Sequence, residues 1–85
     1  MALNVKLASS ARKYLEKLDA SRKRRITQRL RDLAENPLDI RLSYPLQQSS
    51  RRSSRVGDYR ILFEIDGDDL IVASIGPRGQ IYRDA

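Results

Sequence analysis

The sequence predicts an α+β fold in which a helical hairpin packs on a mainly antiparallel sheet of four or five strands. Two amphipathic helical segments lie in the first half of the 85-residue chain, and alternating strand-like segments fill most of the second half. Gly57-Asp58 and Gly67-Asp68 separate the strand-like segments and are typical of tight hairpin turns. We expect one domain over residues 1–85, a length near the lower limit for a stable core.

The first strand and the two helices follow from the spacing of apolar residues. Leu3, Val5 and Leu7 alternate with polar residues, which predicts a short strand. Ser9-Ser10 and Asp19 are candidate helix caps, and Pro37 disfavours continuation of the second helix. The two apolar stripes at helical spacing consist of Ala11, Tyr14, Leu15 and Leu18, and then of Ile26, Leu30, Leu33 and Ala34.

The connection after the helices is predicted to be mostly loop, because residues 37–54 contain few apolar side chains. Its leucines and isoleucine are expected to attach it to the core, namely Leu38, Ile40, Leu42 and Leu46. An antiparallel meander is predicted with strands near residues 52–56, 59–65 and 69–76, and Ile81-Tyr82 is a candidate for a short last strand.

Alternation in the middle strand of the meander separates two sets of side chains. The first set, predicted to share one face and to lie mainly in the core, is Tyr59, Ile61, Phe63 and Ile65. The second set, on the other face, is Arg60, Leu62 and Glu64. The same alternation in the preceding strand places Arg51, Ser53 and Arg55 together.

Positive charge is concentrated in the middle of a chain whose formal net charge is +6. Four arginines lie within ten residues: Arg51, Arg52, Arg55 and Arg60. A localised basic strip on a small domain indicates a polyanion or an acidic protein as partner. The basic residues 22–25, with Arg29 and Arg31, are interpreted as a solvated helix surface, because four consecutive residues point around most of a helix.

The absence of cysteine and histidine narrows the possible chemistry. Disulfides, thiolate catalysis and the usual transition-metal sites are excluded, so we predict no cofactor and no metal. The acidic turn at residues 66–69 is interpreted as a turn only. The longest apolar run, residues 70–75, is too short for a membrane span, and Lys6 interrupts the N-terminal apolar segment. We therefore expect a cytoplasmic protein with no membrane partner.

Three motifs resemble the RelE/ParE toxin superfamily, and within it the RelE-like side. They are the RVGDYRILFEID stretch that begins at Arg55, the Asn36-Pro37 pair that closes the helical hairpin, and the R-x-x-I-Y-R pattern from Arg78 to Arg83. The resemblance covers nearly the whole chain in length and element order, with RVGDYR as its most specific part. It implies a ribosome-dependent, metal-independent mRNA endoribonuclease that inhibits translation and is neutralised by an acidic cognate antitoxin.

The same resemblance implies roles for individual residues. Arg60, Arg78 and Tyr82 match the family's catalytic positions, with the two arginines binding phosphate. Additional RNA or phosphate contacts are expected from Arg51, Arg52 and Arg55. Guanidinium groups suit this task because they remain charged and offer two parallel donors. The implied partners are the antitoxin, in a hetero-oligomer, and the ribosome with mRNA in its decoding site.

The general base is not identified by the sequence. Arg51 and Ser53 stand, by spacing, where RelE-like enzymes carry lysines, and neither is an ordinary base. The remaining candidates are Tyr82, Asp84, Glu64 and groups of the ribosome. Two other functions stay open on this ground: a ParE-type inhibitor of DNA gyrase, and a non-catalytic basic module that binds RNA or an acidic protein.

Overall fold

The computed structural model describes residues 2–46 and 50–77. Two helices, α1 (Ser9–Lys17) and α2 (Ala20–Glu35), pack on one face of a five-stranded sheet. The strands are β1 (Asn4–Leu7), β2 (Tyr44–Pro45), β3 (Arg52–Val56), β4 (Tyr59–Asp66) and β5 (Asp69–Pro77). Their order in the sheet is β1-β5-β4-β3-β2, so the predicted α+β architecture is confirmed.

The β3–β4–β5 meander matches the prediction closely, because both turns carry a strong local signal. Gly57 and Gly67 have φ values of +58° and +59°, in the left-handed region that only glycine adopts at little cost. The strand pairing at the two edges of the sheet was not predicted from the sequence. β1 pairs in parallel with β5, and β2 is a two-residue strand inside a segment predicted to be loop.

The hydrophobic core lies between the helices and the sheet. Its fully buried members include Ile26 and Leu33 from α2, and Ile61 and Phe63 from β4. The predicted alternation of β4 is confirmed for this part of the strand, whereas Ile65 near its end is 39% exposed. The strand therefore presents its apolar side to the helices over its central residues.

A tyrosine pair extends this core at one end. The rings of Tyr14 and Tyr59 meet edge to face, with centroids 6.2 Å apart. Burial is the main cause that raises the pKa of Tyr14 above its ordinary value, and electrostatic interaction with Tyr59 raises it further. The positive charge of Arg22 acts in the opposite direction. Tyr59 is thus a packing residue, as its strand position predicted.

An irregularity in β5 brings a different set of side chains into the core than simple alternation predicts. Leu62 pairs with Ser74 but Phe63 pairs with Val72, so Ala73 is an extra residue in β5. As a result the core receives Leu70, Val72 and then Ile75 rather than Ser74. The bulge matches an apolar pattern that changes its spacing from two residues to three.

Two local predictions need correction, and a third is not tested. Helix α1 begins at Ser9 with Ala8 as its N-cap residue and no side-chain capping bond, whereas Asp19 caps α2 by accepting a hydrogen bond from the Arg22 backbone N–H at 2.8 Å. Leu38 and Ile40 are 64% and 90% exposed, so they do not attach the connection to the core. The candidate strand at residues 81–82 lies outside the described residues.

Candidate nucleic-acid interface

The face of the sheet opposite the helices is defined by the register of its last three strands. Tyr44 on β2 pairs with Ser53 on β3, and Ser53 pairs in turn with Leu62 on β4. In the next row of the same face Arg55 pairs with Arg60. Directly opposed residues project to the same side of a sheet. We call the side of the sheet formed by Tyr44, Ser53, Arg55, Arg60 and Leu62 the arginine face. Its members Ser53 and Leu62 are fully buried and Arg60 is nearly so, whereas Tyr44 and Arg55 are exposed.

Arg60 occupies the centre of the arginine face and is only 8% exposed. Its guanidinium carbon lies 5.8 Å from the centroid of the Tyr44 ring, so the side chain extends across β3 toward β2. This distance is within the range of a cation–π interaction, which fixes the guanidinium without neutralising its charge. Arg60 is therefore a preorganised cation, held in place by the fold.

Arg55 adds a second charge beside it. The two arginines are directly opposed across the β3–β4 pair, an arrangement in which like charges repel. Arg55 is exposed, and its Nε donates to the Gly57 carbonyl at 3.4 Å. Arg51, one residue before β3, falls on the same face by alternation. The arginine face thus brings several guanidinium groups close together, and the guanidinium is a group well suited to bidentate contact with an anion.

Arg52 lies on the opposite face of the sheet from Arg60. It pairs with Phe63, which belongs to the helix-covered core. Its Nε donates to Ser43 Oγ at 3.0 Å and its Nη2 to the Ser43 carbonyl at 3.3 Å. Arg52 thus lies on the other side of the sheet from Arg55, as the alternation predicted, and its guanidinium makes a structural contact rather than joining the arginine face.

Two arginines of α2 reach the same hairpin from the helical side. Arg29 Nη1 donates to Ser54 Oγ at 3.1 Å and to the Arg55 carbonyl at 2.7 Å. A Cβ atom built on Gly57 would lie 3.0 Å from Arg25 Nη2, which places that guanidinium over the β3–β4 turn. Sequence reasoning treated both as solvated helix surface. The overlooked signal is that Arg29 follows Ile26 by three residues and therefore borders the buried stripe.

The contact of Arg29 predicts a measurable loss of stability. Arg29→Ala removes a charged donor from a buried hydroxyl and a carbonyl, so we expect the free energy of unfolding to fall by about 1.5–3 kcal/mol. Urea unfolding followed by circular dichroism measures this. Arg31→Ala, on the exposed side of the same helix, is the matched control and should change stability by less than about 0.5 kcal/mol. Equal effects of the two substitutions would contradict a structural role for Arg29.

Several predicted site residues lie outside the described part of the chain, namely Arg78, Tyr82 and Asp84. Glu64, the remaining candidate base, lies on β4 within the described part of the chain. Its Oε2 accepts a hydrogen bond from Ser50 Oγ at 3.2 Å. Glu64 lies four positions after Arg60 on β4, which corresponds to about 13 Å along the strand. Glu64 is therefore poorly placed to act on a phosphate held by Arg60.

The outer side of α2 carries a separate basic surface. A shallow depression of about 360 Å³ is lined there by residues that include Lys23, Arg24 and Arg31. The helix packs on the opposite side of the sheet from Arg60, so this depression is not part of the arginine face. In residues 2–46 and 50–77 no group of three acidic side chains is arranged to hold a metal ion, and no helix is long and apolar enough to cross a bilayer.

The fold and the arginine face define a small basic protein with a two-helix layer on one side of a five-stranded sheet and opposed arginines on the other side. The family model of the ParE toxin of type II toxin–antitoxin systems matches residues 5–82. The chain belongs to this family and is a toxin of the RelE/ParE superfamily. No curated protein matches the chain in sequence.

Solved structures show the same fold in known toxins. The chain is 26% identical to a chain of the RelBE2 toxin–antitoxin complex of Mycobacterium tuberculosis, with a TM-score of 0.80 over 92% of this chain and 100% of that chain. The archaeal RelE–RelB complex of Pyrococcus horikoshii matches at 22% identity and a TM-score of 0.80, covering 94% and 99%. The RelBE complex of E. coli matches at 19% identity with a TM-score of 0.78, over 93% of this chain and 100% of that chain. The last two likenesses concern the fold alone.

Proposed function

We propose that this toxin is a ribosome-dependent mRNA endoribonuclease that inhibits translation and is neutralised by an acidic cognate antitoxin. The observation that carries the proposal is the position of Arg60, a nearly buried cation opposed by Arg55 and held against Tyr44. Such a group binds an RNA phosphate and stabilises the charge that develops during its cleavage. The relatives crystallised as toxin–antitoxin complexes support the antitoxin part of the proposal.

The proposed reaction is internal transfer of the phosphate. The 2′-hydroxyl oxygen of the ribose attacks the adjacent phosphorus as its proton passes to a base, for which the candidates are Tyr82, Asp84 and groups of the ribosome. The bond from phosphorus to the 5′-oxygen then breaks. The 5′-oxygen takes up a proton, leaving a cyclic phosphate on one fragment and a hydroxyl on the other. Arg60 stabilises the five-coordinate phosphorus by charge and hydrogen bonding. Arg78 is proposed as a second phosphate ligand and Tyr82 as a proton carrier or stacking group, with Arg51 and Arg55 binding flanking phosphates.

Translation in a purified system tests this proposal. We expect mRNA cuts that appear only when ribosomes are present, each leaving a 5′-hydroxyl end. Arg78→Ala and Arg78→Lys should both remove the activity, because lysine lacks the bidentate fork. Arg31→Ala, on the exposed surface of α2, is the matched control and should cut as the wild type does.

A second candidate is inhibition of DNA gyrase, which the description of the matching family as ParE favours. This function needs no catalytic residue, and a basic face then serves to bind protein. A supercoiling assay run in parallel separates the two candidates. Intact mRNA together with inhibited gyrase would replace the nuclease proposal by this one. If neither target responds, a non-catalytic basic binding module is the remaining interpretation.

A further inference from the structure

Tyr44 is an aromatic residue placed beside the predicted phosphate site, and the sequence did not single it out. It lies on the two-residue strand β2 and pairs with Ser53 across the arginine face. Its side chain is 43% exposed, and the Arg60 guanidinium carbon lies 5.8 Å from its ring centroid. Tyr14 and Tyr59, in contrast, pack against the core and contact each other. Tyr44 therefore differs from the other two described tyrosines in being exposed on the arginine face.

The residues before Tyr44 are held by two arginine–serine contacts. Arg52 donates to both the hydroxyl and the carbonyl of Ser43, and the Ser43 hydroxyl donates to the Pro37 carbonyl at 2.9 Å. One residue earlier, the Leu42 carbonyl accepts a hydrogen bond of 2.7 Å from Ser54 Oγ, which Arg29 also contacts. Ser43 is 3% exposed and Ser54 fully buried.

These contacts compensate for a weak strand. A two-residue edge strand that contains a proline has few ladder hydrogen bonds of its own. After β2, the Leu46 backbone N–H donates to the Arg51 carbonyl at 3.0 Å, so the segment is tied to β3 on both sides of Tyr44. The buried side-chain hydrogen bonds thus fix the position of a half-exposed aromatic ring against Arg60.

We propose that Tyr44 is a stacking platform for the nucleobase next to the phosphate bound by Arg60, and that Arg52 is its positioning residue. Proteins that hold single-stranded RNA combine cations along the backbone with aromatic side chains on which bases stack. Arg60 supplies the cation and Tyr44 the aromatic ring, at a separation that a single nucleotide spans. The inference rests on the proposed function, because it takes RNA as the ligand of the arginine face.

Binding of RNA to the isolated toxin tests the inference without requiring cleavage. The probe is a short single-stranded RNA that carries a fluorescent adenine analogue, whose emission is quenched on stacking. Tyr44→Leu should weaken binding by about 5- to 100-fold and abolish quenching. Tyr44→Phe keeps the ring and should bind within about twofold of the wild type. Ile40→Ala, at an exposed apolar position of the preceding connection, is the matched control and should leave both readouts unchanged.

The positioning role of Arg52 has a separate readout. Arg52→Lys preserves charge but not the paired contacts with Ser43, so it should reduce quenching while leaving the salt dependence of binding unchanged. If the salt dependence of binding falls by the amount expected for the loss of one phosphate contact, Arg52 contacts the RNA directly. That result would overturn its positioning role. Thermal unfolding of each variant identifies any loss of fold.

The failure of this inference is distinguishable from failure of the proposed function. RNA binding and quenching that Tyr44→Leu leaves unchanged would overturn the stacking role even if the toxin cuts mRNA on ribosomes. If Tyr44→Leu leaves RNA binding unchanged but weakens binding of an acidic antitoxin peptide, Tyr44 belongs to a protein interface. That result would also overturn the stacking role. Loss of quenching in a toxin that leaves mRNA intact would support the stacking role and reject only the nuclease proposal.

Discussion

Replacement of Arg60 by alanine is expected to reduce ribosome-dependent cleavage of mRNA by about 100- to 1,000-fold. This is the usual effect of removing one preorganised donor from a site where charge develops in the transition state. Arg60 is the described arginine best suited to this role, because it is nearly buried and held against Tyr44. Initial rates of cleavage on purified ribosomes, at equal toxin concentration, measure the effect.

Two companion variants separate chemistry from folding. Arg60→Met fills most of the apolar volume of the arginine stem and should lose activity to the same degree while retaining the fold. Arg24→Ala removes an exposed arginine from α2, on the other side of the sheet, and should retain activity. If Arg60→Ala and Arg78→Ala both remain fully toxic in cells, the assignment of a phosphate clamp to these arginines is wrong.

Replacement of Phe63 by alanine is expected to have the largest effect on stability. Phe63 is fully buried at the centre of the sheet, where it pairs with Val72 and packs in the main hydrophobic cluster. Truncation of a buried phenylalanine costs about 3–5 kcal/mol, because apolar contacts are lost and a cavity remains. A domain of this size has a total stability of about 4–13 kcal/mol, so the expected loss is a large share of the total.

Urea unfolding monitored by circular dichroism measures this loss. Ile40→Ala, at a position 90% exposed, is the matched apolar control and should stay within about 0.5 kcal/mol of the wild type. A change below about 1 kcal/mol for Phe63→Ala would show that the sheet and helices do not share the core described above.

The meander and the helical hairpin could be predicted from the sequence because their signals are local. Gly57 and Gly67 mark both hairpin turns, and Asp19 marks the start of α2, each within a few residues of the structure it specifies. The alternation around Arg60 likewise placed it on the face opposite Phe63. Resemblance to a toxin superfamily was therefore detectable from short motifs, with the stretch around Arg60 as the most specific of them.

Local sequence patterns are sufficient to predict the helices, the three-stranded meander and the presence of a basic strip. Alternation in β3 also separates Arg52 from Arg55, but the pairing of Arg55 with Arg60 and the contact of Arg52 with Ser43 are set by the tertiary structure. The tertiary structure also decided the bulge at Ala73, the parallel pairing of β1 with β5, and the position of Tyr44 beside Arg60. These features depend on contacts between residues far apart in the chain, whose geometry is set by packing rather than by local propensity.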